Sequence, residues 1–160
     1  MHPLVTEAMK KAAVAWLGLA DLPPYPVWCL WVDGALFVVS GPGEQPAPGL
    51  AEATAVTVTA RGDHGGQIIA WRAHAERLDP ESETWAAVVP QLAGKRLNSA
   101  NTGQLAQRWA TQCVVTRLVP LDEPPDARPE GSLAATPRPS PAVRVTRKPF
   151  RLHRVKKRKT

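Results

Sequence analysis

Cysteine is scarce in this chain: Cys29 and Cys113 are the two among 160 residues. Both lie in apolar, strand-like runs, which reads as a pair of buried reduced thiols and excludes a disulfide-scaffolded secreted domain. They show no ligand spacing with His64 and His74, so no metal centre is expected. Long hydrophobic runs are also missing, and no stretch approaches the roughly 18 apolar residues that a membrane-spanning helix needs. Lys10-Lys11 followed by the Ala- and Gly-rich stretch 12–20 has the outline of a signal peptide, yet Glu7 lies in its would-be basic part. The expected location is cytoplasmic, with no membrane partner. The first three quarters of the chain lack any charge excess. Up to Leu121, nine Lys/Arg stand against ten Asp/Glu, a net charge of −1. From Asp122 onward, eleven basic residues stand against four acidic ones, a net charge of +7. The high isoelectric point is therefore no argument that the body binds nucleic acid.

All six tryptophans (Trp16, Trp28, Trp31, Trp71, Trp85, Trp109) fall before Leu121. Large aromatics need a core or an interface, so the folding boundary should coincide with the compositional one. Residues 1–121 are expected to form one domain, and residues 122–160 a proline-rich, basic, disordered tail. In that tail, Pro137-Arg138-Pro139-Ser140-Pro141 is a polyproline-like spacer. Residues 143–160 carry nine Lys/Arg and no acid, a composition suited to weak, nonspecific nucleic-acid contact.

Within the body, residues 3–12 read as a short helix, with Leu4, Ala8 and Lys11 at helical spacing. A strand is expected over about 13–19, and Pro23-Pro24-Tyr25-Pro26 reads as a rigid connector. The runs 27–32 and 35–40 are β-rich and separated by Asp33-Gly34, a two-residue hairpin turn. Both faces of this hairpin are apolar, so one must fill the core while a helix or a second subunit covers the other. Residues 41–49 form a Gly/Pro loop, 56–61 an alternating strand, and 63–66 a turn. A long strand over 67–78 places Ile69, Trp71, Ala73 and Ala75 on one face and Arg72, His74 and Glu76 on the other. Asp79-Pro80 reads as an N-cap and first helical residue, and Pro90 should kink or split the helix that follows. A short helix over about 103–110 and a closing strand over about 112–119 complete the body. The expected class is mainly β with a few helices: six antiparallel strands and no βαβ alternation.

This order of elements resembles the FMN-binding split-barrel family related to pyridoxamine 5′-phosphate oxidase, over about residues 4–121. The resemblance rests on the 27–40 hairpin, the 41–50 loop, the strand pair 56–61 and 67–78, and Arg108-Trp109 before the last strand. The pattern Val39-Ser40-Gly41-Pro42-Gly43-Glu44-Gln45 also looks like that of a group of actinobacterial proteins. The resemblance implies a six-stranded Greek-key split barrel, a homodimer, and an FMN- or deazaflavin-dependent oxidoreductase whose hydride chemistry belongs to the cofactor. Where the family holds flavin phosphate with Arg or Lys, this chain reads Trp28-Cys29-Leu30-Trp31 and Glu44-Gln45-Pro46-Ala47-Pro48-Gly49. The positions carried over are Ser40, Gly41, Gly43 and Gln45, with Arg61 from a neighbouring strand end and Trp109 as a stacking aromatic. The reading from another class is a cofactor-free split barrel serving as a scaffold, with its basic tail on nucleic acid.

Other candidates have plainer explanations. His64 sits in a Gly-rich turn, and His74 on a strand face between Arg72 and Glu76 suits a cross-strand surface pair. No nucleophile-elbow sequence surrounds Ser40. Lys95-Arg96 closes a helix, where cations complement the macrodipole.

Overall fold

The computed structural model describes residues 2–19, 22–62, 67–96 and 104–126. The turn containing His64 and the tail from residue 127 onward lie outside the described residues. The elements run α1 (Pro3–Lys11), β1 (Val14–Leu19), β2 (Leu22–Trp28), β3 (Leu30–Val32), β4 (Ala35–Ser40), β5 (Ala55–Arg61), β6 (Gln67–Arg77), α2 (Glu83–Lys95), α3 (Leu105–Gln112) and β7 (Val114–Pro120). One antiparallel sheet has the order β2-β1-β5-β6-β7-β4-β3. The meander β5-β6-β7 with β4 beside β7 is a Greek-key order.

Seven strands replace the six expected from the sequence, and both differences arise around Cys29. The proline-rich stretch read as a connector is most of β2, which pairs with β1 from Val14↔Trp28 to Leu19↔Leu22. As an edge strand, β2 has one side without ladder bonds, and Pro23 and Pro24 fall where its register with β1 shifts between Leu17 and Leu19, so the prolines are accommodated by the edge and the irregularity together. The run 27–32 then divides: Trp28 ends β2, and Leu30 begins β3 at the opposite end of the sheet. A sheet whose two end strands are joined through the single residue Cys29 must curl into an open half-barrel.

The hairpin turn forms as the sequence implied, with φ of 47° at Asp33 and 79° at Gly34. All six residues of β4 are buried. Leu36 and Val38 join the barrel core with Val5, Met9, Leu17, Val58 and Trp71. Ala35, Phe37 and Val39 pack instead with Trp85, Val88, Val89 and Leu92 of α2 and with Leu105 and Trp109 of α3. The second face of β4 is therefore covered by helices of the same chain. Each such large side chain contributes about 1.5–3 kcal/mol through its burial.

Three helix details depart from the sequence reading. Helix α1 buries Val5 and Met9, while Leu4 is exposed. Helix α2 starts at Glu83, because Ser82 accepts from the Trp85 amide at 3.1 Å; Asp79 and Pro80 form the turn before it. Pro90 lies inside α2 and does not split it, since the helix runs on to Lys95. Pro90 and Ala86 are exposed, so water can serve the Ala86 carbonyl that loses its amide donor. Past Leu121, the backbone of Asp126 exchanges hydrogen bonds of 2.7 and 2.8 Å with Ala70 of β6.

Candidate functional site

Three strand and helix ends converge on the loop between β4 and β5. At its start Gly41 has a φ of 137°, and a Cβ there would stand 3.0 Å from the Cα of Cys113, so only glycine fits. The Glu44 amide donates to the Gly41 carbonyl at 3.0 Å, which tightens the turn and aims the Glu44 side chain inward. That side chain is wholly buried. A buried carboxylate is tolerated only when paired and hydrogen-bonded. Here three donors meet it: Arg96 Nε at 2.7 Å, Trp109 Nε1 at 3.0 Å, and Arg108 Nη2. Arg96 Nη2 also donates to the Gly43 carbonyl at 3.2 Å. Arg96 ends α2, while Arg108 and Trp109 lie on α3, so Glu44 ties both helices to the loop.

Gln45 points the other way. Its side-chain amide accepts from the Trp28 N–H at 2.7 Å and donates to the Trp28 and Val39 carbonyls at 2.8 and 3.1 Å. The Cys113 thiol lies 3.7 Å from the Pro42 carbonyl. Burial, seconded by the Glu44 carboxylate and opposed by Arg108, raises its pKa above the ordinary thiol value. Burial likewise pushes the Cys29 thiol up to about 12.

Ser40, Gly41, Gly43, Gln45 and Trp109 are thus brought to one loop. Trp109 is fully buried and leans on Trp28 with ring centroids 6.5 Å apart. Arg61 belongs to another part of the sheet: its guanidinium stacks over the Trp16 ring at 3.7 Å, on a strand three places across from β4. His74 is exposed, opposite Ala55 and Val119 in the ladders of its two neighbours. Among the described residues, no three His, Cys, Asp or Glu side chains cluster, and no helix is long and apolar enough to cross a membrane.

Two clefts flank the Glu44 node. One, of about 470 Å³, opens beside Ser40, Gly41 and Glu44 and is walled by Pro46, Pro48 and Val114. The other, of about 360 Å³, lies between the ends of α1 and α2 and the β2–β3 junction. Trp28 and Trp31 line it together with Lys10, Lys11, Lys95 and Arg96, and none of its described lining residues is acidic. Lys10 has an exposed partner in Glu7 at 3.5 Å. Trp31 is held edge-on by Trp71, with centroids 5.9 Å apart and planes at 83°.

Sequence reasoning set Glu44 against anion binding at the loop but missed its buried pairing with Arg96, Arg108 and Trp109, and it missed the second cleft. The partners of Glu44 are 52, 64 and 65 positions away, so no local spacing announces them. The four cations of the second cleft come from two helix ends distant in sequence, each of which looks like ordinary helix termination.

No protein-family model matches the chain, and no curated protein matches it. Solved structures do. The heme storage protein HutZ from Vibrio cholerae is 14% identical with a TM-score of 0.56, over 78% of this chain and 92% of that one. A putative 5-nitroimidazole antibiotic resistance protein from Bacteroides thetaiotaomicron is 16% identical with a TM-score of 0.51, over 74% of this chain and 78% of that one. A putative pyridoxamine 5′-phosphate oxidase from Listeria innocua is 16% identical with a TM-score of 0.50, over 72% of this chain and 90% of that one. At these identities the likeness is one of fold, and the open, curled antiparallel half-barrel of this chain fits a split barrel.

Proposed function

We propose that this chain binds a flavin or deazaflavin and acts as an oxidoreductase. The observation that carries the reading is the cleft lined by Trp28 and Trp31 and rimmed by Lys10, Lys11, Lys95 and Arg96. Its volume of about 360 Å³ falls within the range of roughly 300–1,000 Å³ usual for small-molecule clefts. A phosphorylated flavin pairs a flat, largely apolar ring with an anionic tail. Indole faces suit the ring, and ammonium groups supply charge-assisted donors for the tail. The loop 40–45 suits a phosphate less well, because its buried carboxylate already engages Arg96, Arg108 and the Trp109 indole N–H. When bound, the cofactor supplies hydride transfer. Trp28 and Trp31 would bound the ring and exclude water from it, Lys10, Lys11 and Lys95 would hold the tail, and no side chain is assigned as acid or base. A homodimer belongs to the same reading and is checked by sedimentation of the full chain at micromolar concentration.

Purified protein should absorb at about 450 nm or, once stripped, take up FMN with a micromolar dissociation constant. Lys10→Gln/Lys11→Gln should weaken FMN uptake at least about tenfold, the loss of one to two charge-assisted contacts. Failure to bind any flavin at 100-fold excess over the protein would overturn the reading. A hemin titration belongs beside it, since HutZ is a heme storage protein.

The second reading is a cofactor-free scaffold whose residues 143–160 contact nucleic acid. The saturated Glu44 node favours it, because the loop's strongest donors are already committed within the chain.

A further inference from the structure

Arg96, Arg108, the Trp109 indole N–H and a glycine-bearing turn are the parts of an anion site, and the anion in it is the chain's own. We infer that Glu44 is the resident ligand of this site and bars phosphate from the 40–45 loop, so that a phosphorylated ligand must place its phosphate on Lys10, Lys11 and Lys95. The last clause rests on the flavin reading; the first does not.

Geometry and charge both carry the inference. The Glu44 side chain has no solvent exposure, whereas those of Arg96 and Arg108 keep 27% and 36%. The guanidiniums can thus be reached from outside, while the carboxylate between them cannot be hydrated or swung out without breaking three hydrogen bonds. Two guanidiniums against one carboxylate leave a single net positive charge in the node. An incoming phosphate would meet that carboxylate at close range in a poorly hydrated site, where like charges repel strongly. Glutamine at position 44 keeps the size of the side chain and an oxygen for the Trp109 N–H, and raises the node to two positive charges. Partly exposed guanidiniums, each with several N–H donors, are well suited to phosphate. The partial exposure of Arg96 and Arg108, with Arg96 also lining the cleft of about 360 Å³, gives the ion a way in.

The test uses the full-length chain with inorganic phosphate against chloride at equal ionic strength. Phosphate stabilises most proteins slightly, so the wild type sets that baseline. Thermal unfolding and calorimetric titration should show Glu44→Gln binding phosphate at least tenfold more tightly than wild type, and Glu44→Gln/Arg108→Gln should lose the gain. If Glu44→Gln folds poorly in chloride, phosphate should restore it, because a ligand of the native state stabilises by mass action. Equal phosphate response in wild type and Glu44→Gln, including no rescue of a weakened variant, would overturn the inference. A separate arm compares FMN with riboflavin. Lys10→Gln/Lys11→Gln should erase any preference for FMN, and Arg108→Gln should leave it intact; the reverse pattern would place the phosphate on the loop and overturn the inference. Absence of flavin binding in every form, with the phosphate gain present, would remove the flavin reading and leave the Glu44 assignment standing.

Discussion

The side chain of Gln45 stands in for a strand beside Trp28. Its amide oxygen takes the Trp28 N–H at 2.7 Å and its nitrogen serves the Trp28 carbonyl at 2.8 Å, the bond pattern of a ladder partner. The third bond, to the Val39 carbonyl at 3.1 Å, joins the end of β2 to β4. These bonds hold the two ends of the sheet where the chain passes through Cys29. Replacing Gln45 with Leu leaves a partly buried backbone donor and acceptor unserved, at a cost of about 2–4 kcal/mol. Gln45→Glu should fare no better at neutral pH, since an ionised carboxylate cannot donate to either carbonyl. Equilibrium denaturation checks both variants; a loss below about 0.5 kcal/mol would show the bonds to be dispensable.

Pro90 offers a gain of stability. It sits inside α2 on the solvent side, where it withholds an amide from Ala86. The core face of the helix, through Trp85, Val88, Val89 and Leu92, keeps α2 helical despite it. Pro90→Ala should restore the bond and stabilise the protein by about 1–3 kcal/mol, part of the roughly 3 kcal/mol that an interior proline costs. An unchanged or lowered unfolding free energy would mean that α2 is bent to suit Pro90.

Much of the fold was legible because its signals are local. The Asp33-Gly34 turn, the alternation along β6 and the apolar β4 each identify themselves within a single turn or strand. The seventh strand was hidden because Pro23, Pro24 and Pro26 argue against any strand, and only the edge position and the register shift against β1 in the assembled sheet remove the objection. The division of 27–32 at Cys29 was likewise invisible, since Trp28 and Leu30 continue one apolar run while serving opposite ends of the sheet. For the site, the sequence singled out the loop through Ser40, Gly41, Gly43 and Gln45, which the fold gathers beside Trp109. It could not show that Glu44 turns inward to Arg96 and Arg108, because that pairing exists only once α2 and α3 are docked on β4. Arg61 was grouped with the loop by its position at a strand end, and the sheet order carries it to Trp16 instead.

The Cys29 thiol makes stability depend on alkaline pH. Its pKa rises by burial from 9.0 to about 12, so between these values the folded chain holds a proton that the unfolded chain releases. The contribution is fully present below about pH 9 and is lost as pH rises toward 12, at up to about 1.4 kcal/mol per pH unit. Cys29→Ala should unfold more easily at pH 7 because of the vacated volume, yet lose less stability between pH 9 and 11 than the wild type. Equal slopes in the two proteins would show that the thiolate is not the group resisted by the fold. Native-state labelling of Cys29 by a thiol reagent should be slow for the same reason and should accelerate with denaturant.

The last prediction concerns where the folded body ends and what the basic end of the chain does. Asp126 exchanges two backbone hydrogen bonds with Ala70 of β6, and the Leu121 amide donates to the Arg72 carbonyl at 2.9 Å. A chain ending at Asp126 keeps all three bonds, and its melting temperature should stay within about 3 °C of the full-length value, the shift of a fraction of a kcal/mol. A chain ending at Leu121 loses the two Asp126 bonds and should be less stable by about 1–2 kcal/mol. The proposed nucleic-acid contact belongs to residues 143–160, whose nine Lys/Arg face no acid. If all nine meet phosphates of a duplex, log affinity should fall against log salt with a slope approaching about −8. Sequence preference should be negligible, because phosphate contacts carry no base information. Ending the chain at Asp126 should abolish the binding, since the body up to Leu121 carries a net charge of −1 and offers the polyanion no attraction. Unchanged binding by the shortened chain would move the contact to the body, with Lys10, Lys11, Lys95 and Arg96 as the first residues to mutate.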